Sequence, residues 1–389
     1  GSTFKPYMAI AGLETGKRTP QWAFHDPGYF WFGGHKFRDD KEGGHGTIDM
    51  YRSIVLSCDT YYYMLANDMG VDLIHDQLSR FGFGELTGID IAGESRGLLP
   101  STAWKRAAYR RREQQKWYAG ETISLGIGQG YNNFTVLQLA SAVGSLANDG
   151  VRMKPHLVSE IVDVAHSKAT RVAPQEVGRF PVKPENIAFV RKAMVGVNLE
   201  GTAAADFRGA PYSSAGKTGT AQVYTMKANE KYRASQVDER HRDHALFIAY
   251  APADDPKIAI ALVVENGGFG AAAAAPIVRR AFDYWLKGLY PSEEDMAAVR
   301  EGKATAPIGK PRNAADVAWP PGGAAAAAAA SLGAFTPVAA ASAALVNVSA
   351  APPGAARANP AAPASPAPSA AAVAIPAPAA VVRISAPAR

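Results

Sequence analysis

Cysteine is almost absent from this sequence, since Cys58 is the only one among 389 residues. A single thiol excludes an internal disulfide framework and leaves the redox compartment open. Long apolar runs are lacking as well. An uncharged run over residues 322–351 is rich in alanine and is interrupted by Pro337, so we do not expect it to span a membrane.

Acidic residues are nearly missing from the C-terminal part of the chain. From Lys303 onward Asp316 is the only one, against six lysines and arginines, so this part supplies +5 of the formal net charge of +6. The rest is close to neutral, and the charge therefore does not favour nucleic-acid binding. Because the C-terminal part is dominated by Ala and Pro, we predict a globular domain over 1–302 and a disordered tail over 303–389.

Apolar periodicity predicts helices first and strands later. A loop-rich insertion is predicted over residues 16–46. Helices are predicted over 8–13, 48–68, 72–81, 135–148, 184–197 and 275–289, and strands over 157–164, 219–224, 245–250 and 258–265. This order indicates an α+β fold in which helices pack against an antiparallel sheet.

Three short motifs carry the chemistry. They are Ser2-Thr3-Phe4-Lys5, Ser57-Cys58-Asp59 and Lys217-Thr218-Gly219-Thr220. Together they supply a nucleophile, a lysine beside it, a second hydroxyl and a second lysine, which a serine acyl-transferase needs. Each motif alone is common by chance, but their joint occurrence in this order is specific.

The first motif fits an activated serine. Ser2 and Lys5 are three residues apart, so on a first helical turn they share one face. Lys5 can act as a base only when it is neutral, which requires burial or a neighbouring cation such as Lys217. The helix N-terminus also offers free N–H groups to a developing oxyanion.

The third motif is predicted at the start of a strand. Such a strand can bind an extended substrate by β-augmentation. Gly219 would permit close backbone approach, while Lys217 and the threonines could hold a carboxylate.

In these motifs and several further segments the chain resembles the class B penicillin-binding protein transpeptidases, most closely their rod-elongation branch. The resemblance covers about residues 1–289. It includes Gly1 to Pro6, Ser57 to Tyr61, Phe81-Gly82-Phe83-Gly84, Thr87-Gly88-Ile89-Asp90, Trp117-Tyr118, Gly126 to Tyr131 and Lys217 to Val223. It implies the fold shared by penicillin-binding proteins and serine β-lactamases.

The resemblance also implies a reaction. Ser2 would be acylated by a D-Ala-D-Ala stem peptide of peptidoglycan, and an amine of a second stem peptide would then take the acyl group. Lys5 would be the base, and Ser57 and Lys217 would pass the proton to the leaving amine. β-Lactams would mimic the substrate and acylate Ser2.

Substrate-binding residues are implied in the same way. Thr218 and Thr220 would hold the terminal carboxylate next to Gly219, and the backbone N–H groups of Ser2 and Thr220 would form the oxyanion hole. The second motif departs from the wider superfamily, because Asp59 stands where Asn is usual. Its charge near two lysines makes it a candidate ion-pair partner.

The resemblance has consequences for the rest of the protein. Because the chain begins at the catalytic motif without Met, we expect a fragment whose N-terminal strands of the sheet are missing. The intact protein is expected in the inner membrane with this domain in the periplasm. Its anchor and its contacts to membrane proteins of the elongation machinery would lie before Gly1.

Cys58 is a candidate metal ligand. The insertion before it supplies imidazoles and carboxylates, from which we select Asp26, Asp39 and His45 as partners of Cys58 in a four-coordinate zinc site. Some relatives look able to bind zinc at corresponding positions. Such a metal would be structural, since catalysis needs no cofactor; the alternative is a small buried thiol.

Rival functions remain open. A β-lactamase of class A would need an E-x-x-L-N segment between the second and third motifs, and the sequence has none. A DD-carboxypeptidase differs only in using water as acceptor, and a non-catalytic scaffold would keep the fold alone. The basic run from Lys105 to Arg112 is predicted to be a solvated surface, with contact to lipid phosphates or an anionic glycan as the alternative.

Overall fold

Helices contain more of the described residues than strands do. The computed structural model describes residues 1–163, 165–166, 168–223 and 237–317, together with the backbone of 380–383. The helices are α1 (Lys5–Glu14), α2 (Met50–Val55), α3 (Asp59–Met69), α4 (Val71–Ser79), α5 (Thr102–Ala108), α6 (Arg112–Gln115), α7 (Ala119–Ile123), α8 (Val136–Ala147), α9 (Pro184–Leu199), α10 (Ala204–Phe207), α11 (Gly270–Ala273), α12 (Ala275–Lys287) and α13 (Glu293–Arg300).

Fourteen strands accompany these helices in the described residues. They are β1 (Phe24–Asp26), β2 (Tyr29–Phe32), β3 (His35–Arg38), β4 (Gly46–Ile48), β5 (Val151–Met153), β6 (Glu160–Asp163), β7 (Lys168–Arg171), β8 (Glu176–Arg179), β9 (Ala215–Ala221), β10 (His244–Ala251), β11 (Ile258–Val264), β12 (Leu289–Tyr290), β13 (Arg312–Asn313) and β14 (Ala380–Arg383). The described residues also contain four short 3₁₀ turns. One of them, Ser2–Phe4, leads into α1.

The main sheet is antiparallel, with the order β11-β10-β9. Every residue of β10 from Ala245 to Ala251 is buried. Since successive side chains of a strand point to opposite faces, both faces of the sheet must be covered. Helices α8, α9 and α12 pack against it, which gives the expected α+β arrangement.

Helix α1 lies at the centre of the fold. Nine of its ten residues, from Lys5 to Leu13, are buried. A helix that is apolar on all sides belongs in a core, and aromatic contacts of Phe4 with Phe83 and Phe134 fix its first turn. The one charged side chain at its start, Lys5, is therefore carried into the interior.

The insertion over residues 16–46 is more regular than predicted. Strands β1 and β4 pair as one antiparallel ribbon, and β2 and β3 form a hairpin between them. The prediction of a loop-rich segment is thus wrong in part. The short strands escaped prediction because glycines and exposed polar residues break the two-residue alternation by which strands are identified.

Other predicted boundaries shift. Strand β9 starts at Ala215 rather than at 219, and β6 is shorter than the predicted 157–164, whose last residue is not among those described. Residues 303–317 do not fit the predicted tail, because β13 pairs with β12 and the Arg312 side chain donates to Pro291 O at 2.9 Å. Of the remaining tail only 380–383 is described, as a strand beside β6.

None of the helices within the described ranges is both long enough and apolar enough to cross a bilayer. The alanine-rich stretch 322–351 lies outside the described residues.

Candidate active site

Lys5 joins the first motif to the second. Its side chain is fully buried, and Nζ donates to Ser57 O at 2.6 Å, to Ser57 Oγ at 3.1 Å and to Asp59 Oδ1 at 2.6 Å. The sequence predicts contact between Lys5 and Ser2, whereas the hydrogen bonds found for Nζ all go to the second motif. Ser2 lies one turn before Lys5 in the 3₁₀ turn that starts the helix.

Ser57 occupies a strained turn. Its φ is +61°, a value that residues other than glycine rarely adopt, and it separates α2 from α3. The turn is held by Cys58 N, which donates to Ser53 O at 3.0 Å. The predicted single helix over 48–68 is therefore wrong, because the helix is interrupted at Ser57. The turn there places both oxygens of Ser57 within hydrogen-bonding distance of Lys5.

Asp59 is the ion-pair partner of Lys5. Its side chain is 14% exposed, so the pair lies at the edge of the interior. This geometry agrees with the expectation that the aspartate in the second motif would pair with a lysine.

Lys217 is the second buried lysine. It is fully buried on β9, and its Nζ donates to Thr218 O at 3.1 Å. Burial, reinforced by the positive charge of Lys5, holds the pKa of Lys217 well below the usual lysine range. The structure thus places beside the site a lysine that loses its proton readily.

The third motif lies directly against the turn that carries Ser2. A Cβ atom placed on Gly219 would come within 2.8 Å of Thr3 Cγ2 and 3.1 Å of Thr3 N. Only glycine allows this approach without displacing Thr3. Gly219 consequently allows the strand to contact the turn that carries Ser2. The sequence predicted only that the backbone could approach closely at Gly219.

Two residues at the site were missed by the sequence analysis. Thr202 Oγ1 lies 2.7 Å from Thr218 Oγ1, and the Gln129 side chain donates to Thr220 O at 3.0 Å. Gln129 lies between Gly128 and Gly130, and this glycine-rich segment was a signal from which a residue of the site could have been predicted. Thr202 follows a helix end without a distinctive pattern, and only the fold brings it to Thr218.

The four predicted metal ligands also meet. Their ligand atoms all lie within 4.8 Å of one another, and the set consists of Asp26, Asp39, His45 and Cys58. Cys58 Sγ is 3.5 Å from Asp26 Oδ2 and 3.4 Å from Asp39 Oδ2, and His45 Nδ1 is 3.1 Å from Asp26 Oδ2.

The electrostatics of this cluster favour a bound cation. The side chains of Asp26 and Asp39 are fully buried. Burial and the charge of Asp39 raise the pKa of the Cys58 thiol, and although burial opposes it, hydrogen bonding to Asp39 raises the pKa of His45. Buried carboxylates are costly without a compensating cation, so the donor set fits a divalent metal ion.

The cluster is tied to the second motif. Asp39 Oδ2 accepts hydrogen bonds from Thr60 N at 2.9 Å and Thr60 Oγ1 at 3.1 Å, at the start of α3. Cys58 itself is the neighbour of both Ser57 and Asp59. The cluster therefore braces the turn that engages Lys5.

Lys105 corrects the prediction of a solvated basic surface. It is buried, and its Nζ contacts Glu121 Oε2 at 2.5 Å under the rings of Trp117 and Tyr131. The correction applies to Lys105 alone, because Arg106, like the arginines at 110–112, is exposed.

Comparison with known proteins identifies the family. Residues 1–283 match the penicillin-binding protein transpeptidase domain. The peptidoglycan D,D-transpeptidase MrdA of Acinetobacter baumannii is 44% identical over 288 residues, which cover 74% of this chain and 42% of that protein. MrdA of Escherichia coli K12 is 38% identical over 291 residues, covering 74% and 45%.

Solved structures agree. Penicillin-binding protein 2 of Pseudomonas aeruginosa in complex with WCK 5153 is 40% identical, with a TM-score of 0.63 and coverage of 74% of this chain and 60% of that one. The Helicobacter pylori complex between penicillin-binding protein 2 and MreC is 29% identical, with a TM-score of 0.61 and coverage of 74% and 49%.

The chain spans less than half the length of the curated relatives it matches. Within that span the resemblance and the fold predicted from the motifs are confirmed. The chain belongs to the penicillin-binding protein transpeptidase domain family.

Proposed function

We propose that this domain is a serine D,D-transpeptidase that cross-links peptidoglycan through an acyl-enzyme on Ser2. The observation that carries the proposal is the position of Lys5, buried one turn after Ser2 with Nζ 3.1 Å from Ser57 Oγ. A second lysine with a lowered pKa, Lys217, lies in the same site. Family membership and the names of the relatives support the same reaction.

The first step forms an ester. Ser2 Oγ attacks the carbonyl carbon between the two D-alanines, and its proton passes to Lys5 in the neutral form that this step requires. The bond from that carbon to the nitrogen of the terminal D-Ala breaks. The leaving amine takes its proton from the Ser57 hydroxyl, and Lys5 then gives the proton that it received from Ser2 to Ser57, with Lys217 beside these groups to assist the transfer.

The second step reverses these transfers. The amine of another stem peptide attacks the ester carbon, its proton passes through the same groups to Ser2 Oγ, and the Ser2 ester bond breaks. No metal or other cofactor takes part. The products are a cross-linked peptide and the free serine.

Substrate binding is proposed along β9. Among the described strands β9 has a partner on one side only, β10, so its other edge can accept an extended peptide. Thr218 and Thr220 would hold the terminal carboxylate. The N–H groups of Ser2 and Thr220 would bind the oxyanion, because Gly219 keeps the two segments in contact.

Labelling with a fluorescent penicillin tests the proposal against its rivals. A label that is stable in the wild-type protein and lost in Ser2→Ala supports a transpeptidase. Rapid release of the label would indicate a β-lactamase-type hydrolase, and an absence of label would indicate a scaffold. A DD-carboxypeptidase would release free D-Ala from a stem peptide at the same rate with and without an added acceptor amine.

We further propose that Asp26, Asp39, His45 and Cys58 hold one structural zinc ion. The support is the convergence of a thiol, an imidazole and two buried carboxylates on one point. A metal there would stabilise the turn at Ser57 through its neighbour Cys58, and would take no part in the reaction.

Elemental analysis tests the zinc proposal. We expect one zinc per chain, lost together with thermal stability in Cys58→Ala and retained in His25→Ala, which removes an exposed imidazole of the same insertion. A protein without zinc whose stability is unchanged by Cys58→Ala would contradict the proposal.

We also infer where the intact protein works. The relatives named peptidoglycan D,D-transpeptidase and the complex of penicillin-binding protein 2 with MreC support a site at the periplasmic face of the inner membrane, in contact with membrane proteins of the elongation machinery. Cross-linking in cells followed by purification tests this inference. Recovery with cytoplasmic proteins alone would contradict it.

A further inference from the structure

A strongly basic surface lies between α5 and α7. Six basic side chains occur within the twelve residues 105–116, at Lys105, Arg106, Arg110, Arg111, Arg112 and Lys116, against the single acid Glu113. The segment carries a formal charge of +5 in a domain, residues 1–302, that totals about +1. The remainder of the domain is therefore net acidic, and positive charge is concentrated in one place.

Five of these six side chains face solvent. We call them the basic surface; they are Arg106, Arg110, Arg111, Arg112 and Lys116, all of them exposed. None forms an ion pair with a residue in the part of the chain that the structure describes. Like charges that repel one another and have no acidic partner among the described residues are ready to bind an external anion.

The sixth side chain, Lys105, anchors the surface. Its ammonium group is bound by Glu121 and lies 5.4 Å from the ring centres of Trp117 and Tyr118 and 5.6 Å from that of Tyr131. Buried pairing and ring contacts on several sides hold the backbone of the segment in place. The exposed arginines are consequently attached to a backbone whose position is fixed.

The basic surface is coupled to the active site through few residues. Tyr131 Oη donates to Glu121 Oε1 at 3.0 Å. Two residues before Tyr131, the Gln129 side chain donates to Thr220 O on the proposed substrate strand. A series of contacts thus links the segment that carries the basic surface to the strand proposed to hold the substrate.

We propose that the basic surface binds the carboxylates of a peptidoglycan strand beyond the stem peptide that reacts at Ser2. The proposal rests on the proposed transpeptidase function, because it concerns the polymeric substrate of that same site. Guanidinium groups pair with carboxylates in bidentate geometry, and stem peptides repeat carboxylates along the strand. The exposed ring of Tyr118, 51% accessible at the edge of this surface, offers a flat apolar face to the same polymer.

A membrane surface fits these features less well. Interfacial segments combine basic residues with exposed apolar side chains that enter the bilayer. Between residues 105 and 116 no large apolar side chain is exposed, and the exposed ring at the edge of the surface, Tyr118, carries a polar hydroxyl. The arrangement therefore favours a polymer that carries carboxylate groups over a lipid surface.

Co-sedimentation with insoluble peptidoglycan sacculi tests the proposal. The variant Arg110→Gln/Arg111→Gln/Arg112→Gln removes three charges from the basic surface. A matched control, Lys168→Gln/Arg171→Gln/Lys192→Gln, removes three exposed charges from β7 and α9. We expect about tenfold weaker binding of sacculi by the first variant and unchanged binding by the control, with the wild-type binding reduced by salt.

Three further results would overturn the proposal. They are equal loss of binding in both variants, unchanged binding in the arginine variant, and wild-type binding to vesicles of anionic lipid without binding to sacculi. Fluorescent penicillin labelling separates this proposal from the transpeptidase proposal. We expect the arginine variant to label at the wild-type rate, since a small β-lactam does not reach the basic surface, and a loss of labelling would also contradict the assignment.

Discussion

Lys5 Nζ lies 2.6 Å from Asp59 Oδ1, and this ion pair links the helix that follows the nucleophile to the turn that carries Ser57. The lysine is fully buried, whereas the carboxylate reaches the edge of the solvent. Removing one partner of such a pair leaves a buried charge without compensation. The pair therefore sets both the stability of the site and the position of the base.

Replacement of Asp59 tests this relationship. We expect Asp59→Ala to lower the free energy of unfolding by about 2 kcal/mol, because the Lys5 charge then keeps only neutral partners. Asp59→Asn should cost less, since its amide oxygen still accepts a hydrogen bond from Nζ. Urea denaturation measures both values, and an Asp59→Ala protein as stable as the wild type would show that the pair contributes little.

We expect the buried Lys217 side chain to lower the free energy of unfolding at neutral pH. Its pKa is lowered in the folded state, by burial first and by Lys5 second, and Asp40 and Asp59 oppose the shift. Between the folded pKa and the ordinary pKa the unfolded chain binds the extra proton, so this site makes stability rise with pH over that window.

The variant Lys217→Met should therefore be more stable than the wild type at pH 7, although it should not be acylated. The difference in the free energy of unfolding should narrow as the pH approaches the pKa of an ordinary lysine, by up to about 1.4 kcal/mol per pH unit. Urea titrations at pH 7, 8 and 9 measure it. A difference that does not vary with pH would contradict the lowered pKa.

The hydroxyl pair of Thr202 and Thr218 should affect binding more than reaction. When Thr218 donates its proton to a substrate carboxylate, it must accept one from Thr202, whose oxygen is 2.7 Å away. We expect Thr202→Val to weaken binding of penicillin before acylation about fivefold, as the loss of about 1 kcal/mol implies. The conservative variant Thr202→Ser should restore it.

Stopped-flow acylation separates the two constants. The dissociation constant of the initial complex should change while the acylation rate constant stays within about twofold. A twofold change corresponds to less free energy than one ordinary hydrogen bond contributes. A slower acylation step with unchanged binding would place Thr202 elsewhere in the mechanism.

The contact between Gly219 and Thr3 should control the nucleophile. A methyl group at Gly219 would lie 2.8 Å from Thr3 Cγ2, so Gly219→Ala must push the turn that carries Ser2 away from the strand. We expect the acylation rate constant to fall more than about tenfold, because misplacement of reacting groups is costly.

Gly120→Ala is the matched control for this substitution. An added methyl group there meets no atom within 4 Å, and the residue lies within α7, where alanine is favoured. Its acylation rate should equal that of the wild type. Equal effects of the two substitutions would argue against a specific contact at Gly219.

The sequence was sufficient to predict the chemical groups and the fold class. The three motifs contain both buried lysines and both hydroxyls of the site, and the ligand types around Cys58 were enough to select four residues that the structure brings together. The fold class is confirmed, and the meeting of these residues could be predicted because it depends on residue types at fixed spacing.

Other features could not be predicted from local pattern. The turn at Ser57 interrupts a sequence with helical periodicity, and its left-handed conformation is stabilised by contacts distant in the chain, such as those of Lys5. Thr202 and Gln129 reach the third motif only through tertiary packing. Burial of Lys105 likewise depends on aromatic residues that follow it, among them Tyr131.

Intact-mass analysis with peptide mapping after exposure to a β-lactam tests the central claim most directly. The proposed function requires one adduct per chain, with the mass of the whole antibiotic, on the peptide that contains Ser2, and none in Ser2→Ala. An adduct on another residue, such as Ser57, or an adduct that persists in Ser2→Ala, would contradict it.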